Sequence, residues 1–65
     1  MEATLGAIVK DARLYRGLTQ KQLAAKLGVT QQIISSIEAD RNTPNVYTLI
    51  QIGKALGLTL CLSYR

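Results

Sequence analysis

A chain of 65 residues is one small domain, near the lower limit of what folds without disulfide or metal staples. Its single cysteine, Cys61, excludes an internal disulfide, and the absence of histidine leaves that thiolate without the companions a zinc site needs. Eight lysines and arginines against four carboxylates give a net charge of +4, which favours an anionic partner, nucleic acid before membrane, with charge for solubility alone as the alternative.

The same inventory disfavours an enzyme. With no histidine, one cysteine, four carboxylates and no glycine-rich phosphate loop, no acid–base or nucleophile constellation can be assembled. No cofactor site is expected. Cys61 is expected to act as a small apolar residue. The opening MEATLGAIVKD has no basic stretch followed by a long apolar run, so no signal peptide is expected. Nor is any apolar run long enough to span a bilayer, and the expected location is the cytoplasm, on the nucleoid. The apolar share is 48% with no Phe or Trp, so the core must be built from Leu, Ile, Val and Ala.

In chain order, the first helix is expected over 4–16. Thr4 is its cap, Leu5, Ile8, Val9 and Ala12 form its apolar stripe, and Gly17 marks its stop. Lys10, Arg13 and Arg16 lie on a neighbouring face. A second helix is expected over 20–27, capped by Thr19 through its hydroxyl and turned inward by Leu23, Ala24 and Leu27. Gly28 follows, where a helix readily ends in a left-handed conformation. Thr30 then caps a third helix over 31–39. Ile34 and Ile37 share one side of it, while Gln31, Gln32, Ser35 and Ser36 occupy the other. That outer face has amides and hydroxyls but no charge. Solvated helix faces usually favour Lys and Glu. Amides and hydroxyls suit the reading of hydrogen-bond patterns, so 19–38 is the candidate reading head.

The polar run 40–45 breaks the periodicity. Pro44 disfavours helix at Thr43, and Asn45 caps a fourth helix over 46–56. Val46, Leu49, Ile50, Gly53 and Leu56 form its apolar arc, with Tyr47, Gln51 and Lys54 pointing away. In the tail the period changes to two. Leu58, Leu60, Leu62 and Tyr64 alternate with Thr59, Cys61 and Ser63, as in a strand with one apolar face. A lone strand has unpaired amides, so its partner is expected from a second copy of the chain, across a two-fold axis. A short fifth helix is the alternative, supported by Leu58, Leu62 and Arg65.

The stretch Leu14 to Gly57 resembles the Cro/CI-type, or XRE-family, helix-turn-helix domain. The resemblance is carried by GLTQKQLA, the turn LGVTQ, the third-helix segment with its IE ending, and the closing TL-x-x-I-x-KALG. It implies a mainly α fold, a compact four-helix lambda-repressor-like domain, here with a short C-terminal strand that pairs across a dimer. It also implies roles. Gln20 matches a position that contacts phosphate and braces the third helix. Thr30, Gln31, Gln32 and Ser36 match positions that reach the major groove, where Gln pairs with adenine and Ser serves several bases. Ile33, at the edge of the apolar arc, is expected to pack, with contact to a thymine methyl as the alternative. Arg41 and Asn42 match a region that meets the DNA backbone. Arg13 and Glu38 match a partly buried ion pair between the first and third helices, so Arg13 is expected to be structural.

The tail departs from the phage repressors, which continue with a fifth helix, and resembles that of HipB-like antitoxins. Those proteins repress their own operon and bind a HipA-type kinase toxin. The expected function is therefore a homodimeric, sequence-specific repressor on a near-palindromic double-stranded operator, with a kinase-like toxin as further partner. The alternative is a protein-interaction module of helix-turn-helix shape, kept open by the modest net charge and the lack of basic residues on the outer face of the third helix.

Overall fold

The computed structural model describes residues 4–57. Four helices occupy them: α1 (Leu5–Tyr15), α2 (Gln20–Leu27), α3 (Gln31–Glu38) and α4 (Val46–Ala55). Each starts on a polar cap that accepts from an amide of the first turn: Thr4 from Ala7, Thr19 from Gln22, Thr30 from Ile33 and Asn45 from Thr48. At α2 the cap is reciprocal, because the Gln22 side chain accepts in return from the Thr19 amide at 2.9 Å.

The helix ends share one device. Gly17, Gly28 and Gly57 follow α1, α2 and α4 at φ near +70° (72°, 72° and 71°), a conformation open to glycine without a Cβ penalty. After α3 the left-handed residue is Asp40, at φ 60°. A side chain there costs roughly 1–2 kcal/mol, which something else must offset.

α3 packs between α1 and α2, and α4 packs against α2. Leu23 and Ile34 are completely buried where α2 and α3 meet. Val9, Ala24, Ile37, Ile52 and Leu56 complete the core. Leu5, Ala12, Leu18, Leu27 and Ala55 pack around it, half-buried. Removing each large aliphatic side chain from water stabilises the fold by roughly 1.5–3 kcal/mol. Among the described residues, no helix is long and apolar enough to cross a membrane.

Two helices are rotated from their expected orientation. On α1, Ile8 is 53% exposed while Arg13 is buried, because the helix turns its Gly6–Val9–Arg13 side toward α3. On α4 the inward arc is centred on Ile52, Gly53 and Leu56. Val46, expected inside, is 61% exposed as the first residue of the helix. Leu49 and Ile50 are half-buried. The apolar residues of α4 are spread over more than half its circumference, so periodicity leaves its rotation loosely defined, and packing against α2 selects Ile52. The strand expected over 58–64, with Leu58, Leu60, Leu62 and Tyr64, lies outside the described residues.

Candidate nucleic-acid interface

The interface is built on α2, the turn Gly28–Thr30 and α3. In the turn, the Val29 amide donates to the Ala24 carbonyl at 3.0 Å, closing α2 behind the left-handed Gly28. Thr30 then opens α3, accepting from the Ile33 amide at 3.3 Å. That bond uses the hydroxyl as acceptor and leaves its proton free to donate outward. Gln31 and Gln32 are exposed at the start of α3, opposite the buried Ile34 and Ile37. Ser35 and Ser36 are half-buried. The chain folds back over the end of α3, with the Arg41 and Asn42 amides donating to the Ser36 carbonyl at 2.9 and 3.3 Å. Arg41 and Asn42 are exposed beside that end. The face therefore runs from two exposed amide side chains to the exposed Arg41 and Asn42 of the turn after α3.

A buried polar cluster ties the end of α3 to α1 and to the start of α2. Arg13 Nε donates to Glu38 Oε2 at 2.7 Å, and Nη2 to Oε1 at 3.0 Å, a two-pronged pair. The side chains are only 8% and 4% exposed. Arg13 Nη1 also donates to the Leu18 carbonyl at 2.7 Å, tying in the loop before α2. Gln20 Nε2 donates to Glu38 Oε1 at 3.1 Å, so the first residue of α2 braces the last residue of α3. The bond to Glu38 raises the Arg13 pKa, outweighing the opposing effect of burial. For Glu38 burial is the largest influence and pushes its carboxyl up. The bonds from Arg13 and Gln20, with the charges of Arg13 and Lys10, outweigh it and hold the carboxyl below the usual range. Both groups stay charged at neutral pH.

Ile33 is 39% exposed. With Val29, Tyr47, Thr48 and Gln51 it borders a shallow groove of about 100 Å³ between α3 and α4. Its floor is apolar, formed by Leu27, Ile34 and Ile37. Two further contacts have no counterpart in the sequence patterns. The Arg16 guanidinium donates to the Gly57 carbonyl at 3.2 Å, holding the end of α4 to the end of α1. The Gly6 amide donates to Asp40 Oδ1 at 2.9 Å, joining the start of α1 to the turn after α3. The one local sign of the latter was an aspartate standing where glycines end the other helices. Among the described residues there is no cluster of three or more His, Cys, Asp or Glu side chains that could hold a metal ion.

A family model described as helix-turn-helix matches residues 9–62. The chain belongs to the XRE-type helix-turn-helix family. This helix-turn-helix domain is 37% identical over 59 residues to the uncharacterized HTH-type transcriptional regulator y4dJ of Sinorhizobium fredii, covering 91% of this chain and 77% of that protein. It is 39% identical over 56 residues to endothelial differentiation-related factor 1 of Homo sapiens, covering 86% of this chain and 38% of that one. Multiprotein-bridging factor 1 of Candida albicans is 35% identical over 60 residues, spanning 92% and 40% of the two chains. The domain thus spans about two fifths of these eukaryotic relatives. Among solved structures, the restriction-modification controller protein C.Esp1396I superposes with a TM-score of 0.81 at 30% identity, covering 88% of this chain and 75% of that one. The domain is of the transcription-regulator class.

Proposed function

We propose that the chain is a sequence-specific DNA-binding repressor, without enzymatic activity, that acts as a homodimer in the cytoplasm. The observation that carries this reading is the outer face of α3. Gln31 and Gln32 stand exposed and uncharged on a helix whose opposite face is buried, with Thr30 at its start and Arg41 and Asn42 at its end. Gln amides pair bidentately with adenine N6 and N7, the Thr30 and Ser36 hydroxyls serve several bases, and Ser35 flanks them. Arg41, Asn42 and the start of α2 at Gln20 supply phosphate contacts, which set register without reading sequence.

One such helix covers too few base pairs to be selective, so the reading includes a second copy joined through Leu58, Leu60, Leu62 and Tyr64. Two half-sites of a near-palindrome then lie about one helical turn, ~34 Å, or a multiple of it apart. The tail's resemblance to HipB-like antitoxins supports a finer role, the antitoxin of a kinase-type toxin on a self-repressed operon. Selection of duplexes from a random-sequence pool, followed by footprinting on the region upstream of the gene, tests the first reading. Gln31→Ala and Gln32→Ala should change the selected bases, and unchanged preference in both overturns the readout. Truncation after Gly57 should give monomers by sedimentation and weaken operator binding, and a truncated chain that stays dimeric removes the tail from the dimer.

A second reading, a partner-binding module, is favoured by Val29, Ile33, Val46 and Tyr47, which are 36%, 39%, 61% and 70% exposed. Kinship to a protein named for bridging other proteins supports it too. Partner binding with no duplex selected from the pool would establish it over the first.

A further inference from the structure

Three of the described helices end on a left-handed glycine, and α3 ends on a left-handed aspartate. The backbone bonds of that turn are those glycine ordinarily serves. The Asp40 amide donates to the Ile37 carbonyl at 3.1 Å and the Arg41 amide to the Ser36 carbonyl at 2.9 Å. Glycine would close the same turn with less strain. What Asp40 adds is its side chain, whose Oδ1 accepts from the Gly6 amide, 34 positions away in sequence, at 2.9 Å.

Gly6 is equally constrained. A Cβ at this position would stand 2.5 Å from the Ile37 carbonyl oxygen, 2.6 Å from that of Glu38 and 2.8 Å from Asp40 Oδ1. Two of these neighbours are backbone at the end of α3, which cannot swing aside as a side chain would. The first turn of α1 contains no acidic residue of its own. Asp40 brings a negative charge to a helix N-terminus, where the peptide dipoles favour one. The residues after Asp40 are Arg41 and Asn42.

We propose that Gly6 and Asp40 are positioning residues for the DNA-backbone contacts of the turn after α3. The close approach at Gly6 seats the start of α1 on the last turn of α3. The Asp40 carboxylate then fixes the direction in which the chain leaves that helix, and so where Arg41 and Asn42 meet phosphate. Neither residue touches DNA. This inference rests on reading α3 and its following turn as DNA-facing.

The test compares Asp40→Gly and Asp40→Asn with the wild-type chain, by amide hydrogen exchange and nitrogen-15 relaxation in the free protein. Affinity is then measured for the duplex that the wild-type chain selects from a random-sequence pool. In Asp40→Gly the Gly6 amide should exchange about tenfold faster, and the Arg41 and Asn42 amides should gain motion. Affinity should fall about tenfold. The slope of log affinity against log salt should drop by about 0.9, one phosphate contact, with base preference unchanged. Asp40→Asn keeps an acceptor oxygen and tolerates the left-handed backbone, so it should restore affinity to within about twofold of wild type. Unchanged exchange at Gly6 in Asp40→Gly overturns the bond. Faster exchange there with wild-type affinity and salt slope overturns the positioning role. A wild-type chain that selects no duplex is a failure of the DNA reading itself and takes the positioning role with it. One that selects a duplex bound equally by Asp40→Gly leaves the DNA reading standing and sinks this inference alone.

Discussion

The two flanks of α3 are held by different physics. Toward α1 and α2 the apolar core at the α2–α3 crossing is joined by directional, polar contacts. Arg13, Gln20 and Glu38 form one bonded cluster, and Gly6 meets the last carbonyls of α3 at a distance only glycine allows. Toward α4 there is a shallow apolar groove edged by Val29, Ile33 and Tyr47, with no hydrogen bond spanning α3 and α4 among the described residues. A helix whose angle must be exact on one side and adaptable on the other suits this division. Charge pairs set orientation, whereas apolar contact tolerates sliding and repacking.

Disrupting the two flanks should carry unequal costs. Glu38→Ala strands a buried guanidinium and frees the Gln20 brace. It should lower unfolding free energy by roughly 3–5 kcal/mol, read from the denaturant midpoint. If the loss stays below about 1 kcal/mol, the cluster does not hold the helix. Leu23→Ala removes a completely buried side chain at the α2–α3 crossing. A loss of about 2–5 kcal/mol is expected, and a smaller value would mean that the site collapses to fill the cavity.

Acid should act on the polar flank first. Because the folded-state pKa of Glu38 is lowered, its contribution is present above the unfolded value, about 4.3, and is lost as pH falls through the folded one. Stability should therefore hold from neutral pH down to about pH 4.3 and then decline. Glu38→Gln should make that decline shallower, and an identical acid limb in the variant would assign it to other carboxyls. On the α4 flank, Tyr47→Ala should change stability by less than ~0.5 kcal/mol, since the ring is 70% exposed. A larger loss would show the groove to be part of the core.

The four helices and their caps were legible in the sequence because the signals are local. Thr4, Thr19, Thr30 and Asn45 each reach an amide three positions on, and the glycines after α1, α2 and α4 sit where the chain must turn left-handed. The candidate face at Gln31 and Gln32 was legible for the same reason, since Ile34 and Ile37 fix the inward side of so short a helix. The helix rotations were not. Apolar residues at Ile8 and Val46 satisfy the period, yet burying Arg13 turns α1 away from Ile8, and docking on α2 turns α4 toward Ile52.

Periodicity and capping chemistry are thus set within four residues, and the sequence by itself determined them: four helices, a tight turn and one uncharged outer face. Contacts between distant positions belong to the tertiary structure. Nothing local pairs Arg13 with Glu38, 25 positions on, or Gly6 with Asp40, 34 positions on. The resemblance had named the first pair, and only the packed helices supply its distances. The second left only an aspartate at a helix end as its sign. An aspartate in a loop resembles any turn residue until the helix whose amide it accepts is folded against it.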